Sequence, residues 1–187
     1  MPNAYYNLRT SLDRFLIDWS MKNMSDYQGA SLPTVSTFQG MIAYRSDQDK
    51  IYQLTVPPST WVLLPSEYFI FDFDNHAVAT AIPEKPLVGV KNFALRNEGG
   101  LFTVSAMIVM TLYNEPNMYK HNQLIGNLFE SFYSGKRIPV QRYSDNSGTV
   151  FDSLVVMDTS EVLPTVNSNK RMIQAVGFTA GTGVSTT

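Results

Sequence analysis

Asp72-Phe73-Asp74-Asn75-His76 is the densest grouping of chemically capable side chains in this sequence of 187 residues. On a continuing strand the two carboxylates and the imidazole would share one face, a set able to hold a divalent cation or to divide acid and base roles. The same five residues also read as a turn between strands, since Asp and Asn favour turns and their charges are then solvated. The turn is the preferred reading, so no catalytic residue and no metal ligand is assigned.

Other chemistry finds less support. His121 stands beside Lys120 and Asn122 in a polar stretch and reads as a surface histidine. Gly135-Lys136-Arg137 follows a helical pattern instead of opening one, so the glycine is a helix stop and the basic pair complements the helix dipole. Gly99-Gly100 precedes a strand and lacks a third glycine at dinucleotide-binding spacing. There is no G-x-S-x-G elbow, and with no cysteine there is neither a thiolate ligand nor a disulfide. No cofactor is expected, and the chain reads as a non-enzyme.

Composition points toward partners. Hydrophobic residues make up 44% of the chain, enough for a core, while charged residues reach only 16% against about 25% in ordinary soluble domains. Ser, Thr, Asn, Gln and Tyr must then cover much of the surface. A formal charge of -2 offers no basic excess for a nucleic-acid backbone, so specific nucleic-acid binding is not expected. Residues Met1 to Asn7 lack the basic and apolar regions of a signal peptide, and no apolar run approaches the roughly 18 residues of a membrane span. Neither secretion by that route nor a membrane partner is expected.

Two amphipathic helices and a set of strands must position whatever surface does the work. Tyr5, Leu8, Leu12, Phe15, Leu16 and Trp19 keep helical spacing from Ala4 to Met24, with Asn3 as N-cap. Met118, Leu124, Ile125, Leu128, Phe129 and Phe132 do so between Pro116 and Gly135. Strands are expected at Val35 to Tyr44, Ile51 to Val56, Trp61 to Leu64, Tyr68 to Phe73, Ala77 to Ile82 and Val88 to Leu95. A long strand Leu101 to Tyr113 follows a Gly-Gly turn, and further strands are expected at Ile138 to Tyr143, Phe151 to Met157 and Arg171 to Thr179. The fold class is α+β: an antiparallel or mixed sheet packed by two helices, with an extended β-hairpin region. A single domain, 1–179, is expected, followed by a flexible tail, 180–187, of small and polar residues.

The helix trios Phe15, Leu16, Trp19 and Leu128, Phe129, Phe132 are expected to pack on the long strand, leaving recognition to polar, turn-rich segments. The candidate interface residues are Arg45, Asp47, Asp49 and Lys50 at a hairpin tip, and Lys136, Arg137, Arg142 and Tyr143 after the second helix.

The layout resembles the tail terminator proteins of long-tailed bacteriophages. The resemblance rests on the first helix ending near Trp19, the strand from Gly99-Gly100-Leu101-Phe102 to Met110, and the helix that directly follows through Asn122-Gln123-Leu124-Ile125 to Phe132 and Gly135-Lys136-Arg137-Ile138. It implies a structural virion subunit that forms a ring, a hexamer in that family, capping the tail tube at the head-proximal end of the tail. Its partners would be copies of itself, the tail tube protein and a neck or head-completion protein, with the sheath a further candidate. Assembly would take place in the host cytoplasm. The alternatives are another tail, neck or baseplate component and, from a different class, a small metal-assisted hydrolase using Asp72, Asp74 and His76.

Overall fold

The computed structural model describes residues 3–55, 60–76, 86–112, 118–143, 145–166 and 172–182. Helix α1 spans Ala4–Asn23 and α2 Met118–Ser131. The first strands are β1 Tyr27–Gly29, β2 Ile42–Arg45, β3 Lys50–Thr55 and β4 Thr60–Leu63. They are followed by β5 Leu87–Glu98, β6 Leu101–Leu112, β7 Arg137–Gln141, β8 Val150–Val166 and β9 Met172–Thr182. The class is α+β, as the periodicities predict.

No linker marks a boundary in the sequence, yet the chain divides into two compact units, Ile17–Ile70 and the combination of Met1–Leu16 with Phe71–Thr187. The smaller unit holds a four-stranded sheet in the order β1-β2-β3-β4, in which β1 runs parallel to β2 and the other pairs are antiparallel. Its buried residues include Trp19, Ser20, Met21, Met24, Met41, Ile42, Ala43, Tyr44, Ile51, Leu54 and Phe69. Side chains bond the C-terminal carbonyls of α1: Ser25 Oγ donates to Met21 O at 2.6 Å, and Asn23 Nδ2 adds a further donor to Trp19 O at 2.8 Å.

The larger unit is built on a five-stranded antiparallel sheet in the order β5-β6-β9-β8-β7. On one face Val88, Val90, Val104, Ala106, Ile108, Met110, Ile138, Val140, Leu154, Val156 and Ala180 are buried, as are Leu8, Leu12 and Leu16 of α1, Leu124, Ile125 and Leu128 of α2, and Phe132 just after it. The rings of Phe15 and Phe132 meet edge to face at 5.2 Å between the helices. On the other face a smaller cluster of Phe73, Leu87 and Val109 is joined by Phe71 and Met107. The β5-β6 hairpin closes through Gly99 and Gly100, whose φ values of 65° and 90° suit the tight turn that matches strand twist.

Several local expectations change. Only the end of the Val35 to Tyr44 stretch is strand, because Ser36 and Gly40 adopt φ of 55° and 81°, which extended backbone cannot accommodate. Tyr68 to Phe73 is not a strand: consecutive turns reach Ile70, with Tyr68 N–H donating to Pro65 O at 3.1 Å and Ile70 N–H to Glu67 O at 2.9 Å, and another turn begins at Phe73. Its aromatic content, which imitates a strand, serves packing by Phe69 and Phe73 instead. The expected strand Ala77 to Ile82 lies outside the described residues. β1 has no counterpart among the expected strands, and β9 continues to Thr182, so Ala180, Gly181 and Thr182 belong to the sheet rather than to a tail.

Phe129 is corrected as well: it is 39% exposed, whereas Leu128 and Phe132 are fully buried. At about 100° per residue, Leu124, Leu128, Phe132 and Ile125 fill one stripe roughly 100° wide, and Phe129 falls about 40° beyond its margin. Tyr133, 56% exposed, lies on the same outer side.

Candidate interface surfaces

The eight candidate interface residues occupy ordered positions, four in each compact unit. In the β2-β3 hairpin, Arg45 holds Asp47 with two parallel bonds, Nε to Oδ1 at 3.0 Å and Nη2 to Oδ2 at 2.6 Å. The guanidinium bond holds the Asp47 carboxyl below the usual carboxylate range. The Tyr44 hydroxyl donates to Asp49 Oδ1 at 2.8 Å, and burial, with that carboxylate, pushes the phenol up to about 12. This tip is organised internally. Of the four, Lys50 is exposed with no bond to another described side chain.

In the other unit the Lys136 ammonium lies 5.8 Å from the Phe15 ring centroid and 5.9 Å from that of Tyr133. Arg137 Nη1 donates to Ser153 Oγ at 3.4 Å, and Arg142 Nε is 3.9 Å from Asp145 Oδ2. Tyr143 is tied through its N–H to Asn7 Oδ1 at 2.9 Å and through its hydroxyl to Gln141 Oε1. This segment, too, is held in place.

Asp72 to His76 forms the expected turn, but its carboxylates are not merely solvated. Asp72 Oδ1 accepts the N–H groups of Asp74 and Asn75, each at 3.1 Å, and Oδ2 accepts Asn75 Nδ2 at 2.7 Å. The Asn75 amide, followed by those backbone donors, holds the Asp72 carboxyl below its ordinary range. Asp74 Oδ1 accepts the N–H of Asn92 at 2.8 Å, and its Oδ2 pairs with Arg9 Nη1 at 3.3 Å. Arg9 also pairs with Asp13 at 3.2 Å and stacks 5.6 Å from the Phe93 ring centroid. Among the described residues no three His, Asp or Glu side chains gather as a metal site requires, and no helix is long and apolar enough to cross a membrane.

The edges of the five-stranded sheet are managed unequally. At one edge, Pro139 of β7 has no N–H to offer, and Gln141 N–H donates to Ser11 Oγ at 3.0 Å. At the other, Phe71 N–H donates to Val88 O at 3.0 Å, and Asp74 takes the N–H of Asn92, whose φ of 55° marks the β-bulge between Lys91 and Ala94. Gly89 is required there, since any Cβ would collide with Phe71 O. Beyond the bulge, the register with β6 turns the N–H and C=O of Leu95 and Asn97 outward, and they have no backbone partner among the described residues. Sequence reasoning misses this open edge, because nothing local to Leu95 or Asn97 records which side of the strand is paired.

Exposed apolar side chains add to each unit's surface. Phe129 is exposed in the last turn of α2 and Tyr133 just beyond it; in the smaller unit Val62 and Leu63 are 46% and 53% exposed on β4, a short edge strand.

No protein-family model matches the chain, and no curated protein matches it.

Proposed function

We propose that the chain is a structural subunit of a bacteriophage tail, which joins copies of itself in a closed ring that caps the tail tube and meets the neck or head-completion protein. The observation that supports self-assembly is the open stretch of β5 at Leu95 and Asn97, whose N–H and C=O groups turn outward with no backbone partner among the described residues. An unprotected edge offers main-chain bonds to another chain. The exposed apolar residues of α2 and β4 supply surface whose burial would favour association. The assignment to a tail terminator rests on the resemblance in element order, and six subunits is the stoichiometry that resemblance implies.

Native mass spectrometry of the purified chain, with negative-stain images of the chain mixed with tail tubes, tests the reading. A discrete ring seated on tube ends is expected; compact monomers alone and no decoration of tubes would reject it. Leu95→Pro and Asn97→Pro each remove one outward N–H without breaking a ladder bond, and are expected to yield folded chains that assemble poorly.

A further inference from the structure

The five-stranded sheet has a second face, turned away from the buried side chains of the helices. Its register sets Ser105 opposite Thr179 and Thr179 opposite Asp158; one step along, Met107 stands opposite Gly177 and Gly177 opposite Ser160. Directly opposed residues share a face, so these form two adjacent rows running across β6, β9 and β8. Together with Asn92 at the bulge of β5 they line a concavity of about 270 Å³. Gly177 supplies its depth, for a Cβ at that position would press to 3.0 Å from Ser160 Oγ.

The lining carries a single charge among neutral polar groups. Asp158 brings a carboxylate, Ser105, Ser160 and Thr179 bring hydroxyls, and Asn92 a carboxamide, while no cation lines the hollow. None of these five side chains bonds to another described residue, so their acceptors all remain available. A volume below the roughly 300 to 1,000 Å³ of small-molecule pockets suits a group the size of one side chain. The lone carboxylate favours a cationic donor, and the hydroxyls and carboxamide, which can donate or accept, can turn their oxygens toward it. A guanidinium fits better than an ammonium, because its planar fork serves several acceptors at once and its weak hydration lets it lie against the bare backbone of Gly177 and the thioether of Met107.

The geometry points to this concavity as the receptor for an arginine side chain of a second copy of the chain, the donor being Arg96. Arg96 is exposed on the open stretch of β5, and neither it nor Asp158 makes an ion pair among the described residues, so the chain carries both the cation and the anionic hollow. The choice of a second copy rests on the self-assembly reading; the guanidinium chemistry does not.

Two measurements on the full chain separate these parts. Backbone amide spectra during titration with methylguanidinium chloride, against sodium chloride at equal ionic strength, are expected to show saturable shifts at Ser105, Asp158, Ser160, Gly177 and Thr179 that Asp158→Asn abolishes. No saturable shift, the same shifts with glycerol, or shifts unchanged in Asp158→Asn would overturn the site. Sedimentation velocity is then expected to show self-association weakened on the order of tenfold by Asp158→Asn and by Arg96→Gln, with the double variant no worse than either single one. A wild-type chain that stays monomeric defeats the self-assembly reading and the second-copy occupant together, leaving the guanidinium site to the titration. A wild-type chain that assembles while both variants assemble equally well defeats this inference alone. Both substitutions fall on exposed side chains, and unchanged amide spectra away from the site confirm that the variants are folded.

Discussion

Asn7 of α1 accepts the backbone N–H of Tyr143 at 2.9 Å across a sequence separation of 136 residues. One turn further along the helix, Ser11 accepts the N–H of Gln141 at 3.0 Å. Asn7 and Ser11 are 1% and 4% exposed, so two polar side chains are buried in order to cap one end of the edge strand β7. On another side of the same helix, Tyr5 meets Phe93 edge to face at 5.1 Å and Arg9 pairs with Asp74, at the opposite edge of the sheet. One helix thus ties down both edges of the larger unit's sheet.

Removing the Asn7 side chain should therefore orphan a main-chain donor. Asn7→Ala is expected to destabilise the fold by about 1 to 3 kcal/mol, and Ser11→Ala by a similar amount. Urea unfolding checks this, and Asn7→Asp, which keeps the acceptor, should recover part of the loss. A midpoint for Asn7→Ala equal to that of the parent chain would show that the bond contributes nothing.

Asn92 provides a backbone test. Its φ of 55° is tolerated by Asn and unstrained for Gly, but poorly accessible to a β-branched residue. Asn92→Gly should be near neutral and Asn92→Val should cost about 1 to 3 kcal/mol. Thermal melts of the two variants distinguish this from a packing effect, which would order them the other way.

The two phenylalanines near the end of α2 should behave differently. Phe132→Ala empties a fully buried site and is expected to cost about 3 to 5 kcal/mol. Phe129→Ala should stay within about 1 kcal/mol of the parent chain and, on the proposed function, impair assembly more than folding. Denaturant midpoints paired with native mass spectra read both effects.

Asp72 predicts an acid-sensitive contribution. Its folded carboxyl titrates below the ordinary value of about 3.9, so its stabilisation is present above that pH and disappears as pH falls through the folded value. Asp72→Asn should lower the urea midpoint slightly near neutral pH, and the gap to the parent chain should close in acid. The turn is partly exposed, so the effect is expected to stay under about 1 kcal/mol. A gap that widens toward low pH would reverse the assignment.

Features written over a few neighbouring residues are legible in the primary structure. Leu8, Leu12 and Leu16 spell a helical stripe, the alternation from Phe102 to Met110 spells a strand, and Gly99-Gly100 spells the turn before it. Asp72 to His76 reads as a turn because Asx side chains bond to their own backbone, and it is one. It took the folded chain to make Asp74 cap a bulge 18 residues away, to set Asn7 and Ser11 against β7, and to leave Leu95 and Asn97 open. The fold likewise decided that Ser105, Thr179 and Asp158 would stand in one row and that Phe129 would fall outside the core. Periodicity and turn chemistry act within a few residues along the chain, whereas strand order and register are set by which distant surfaces bury one another, and the free groups are whatever that pairing leaves over.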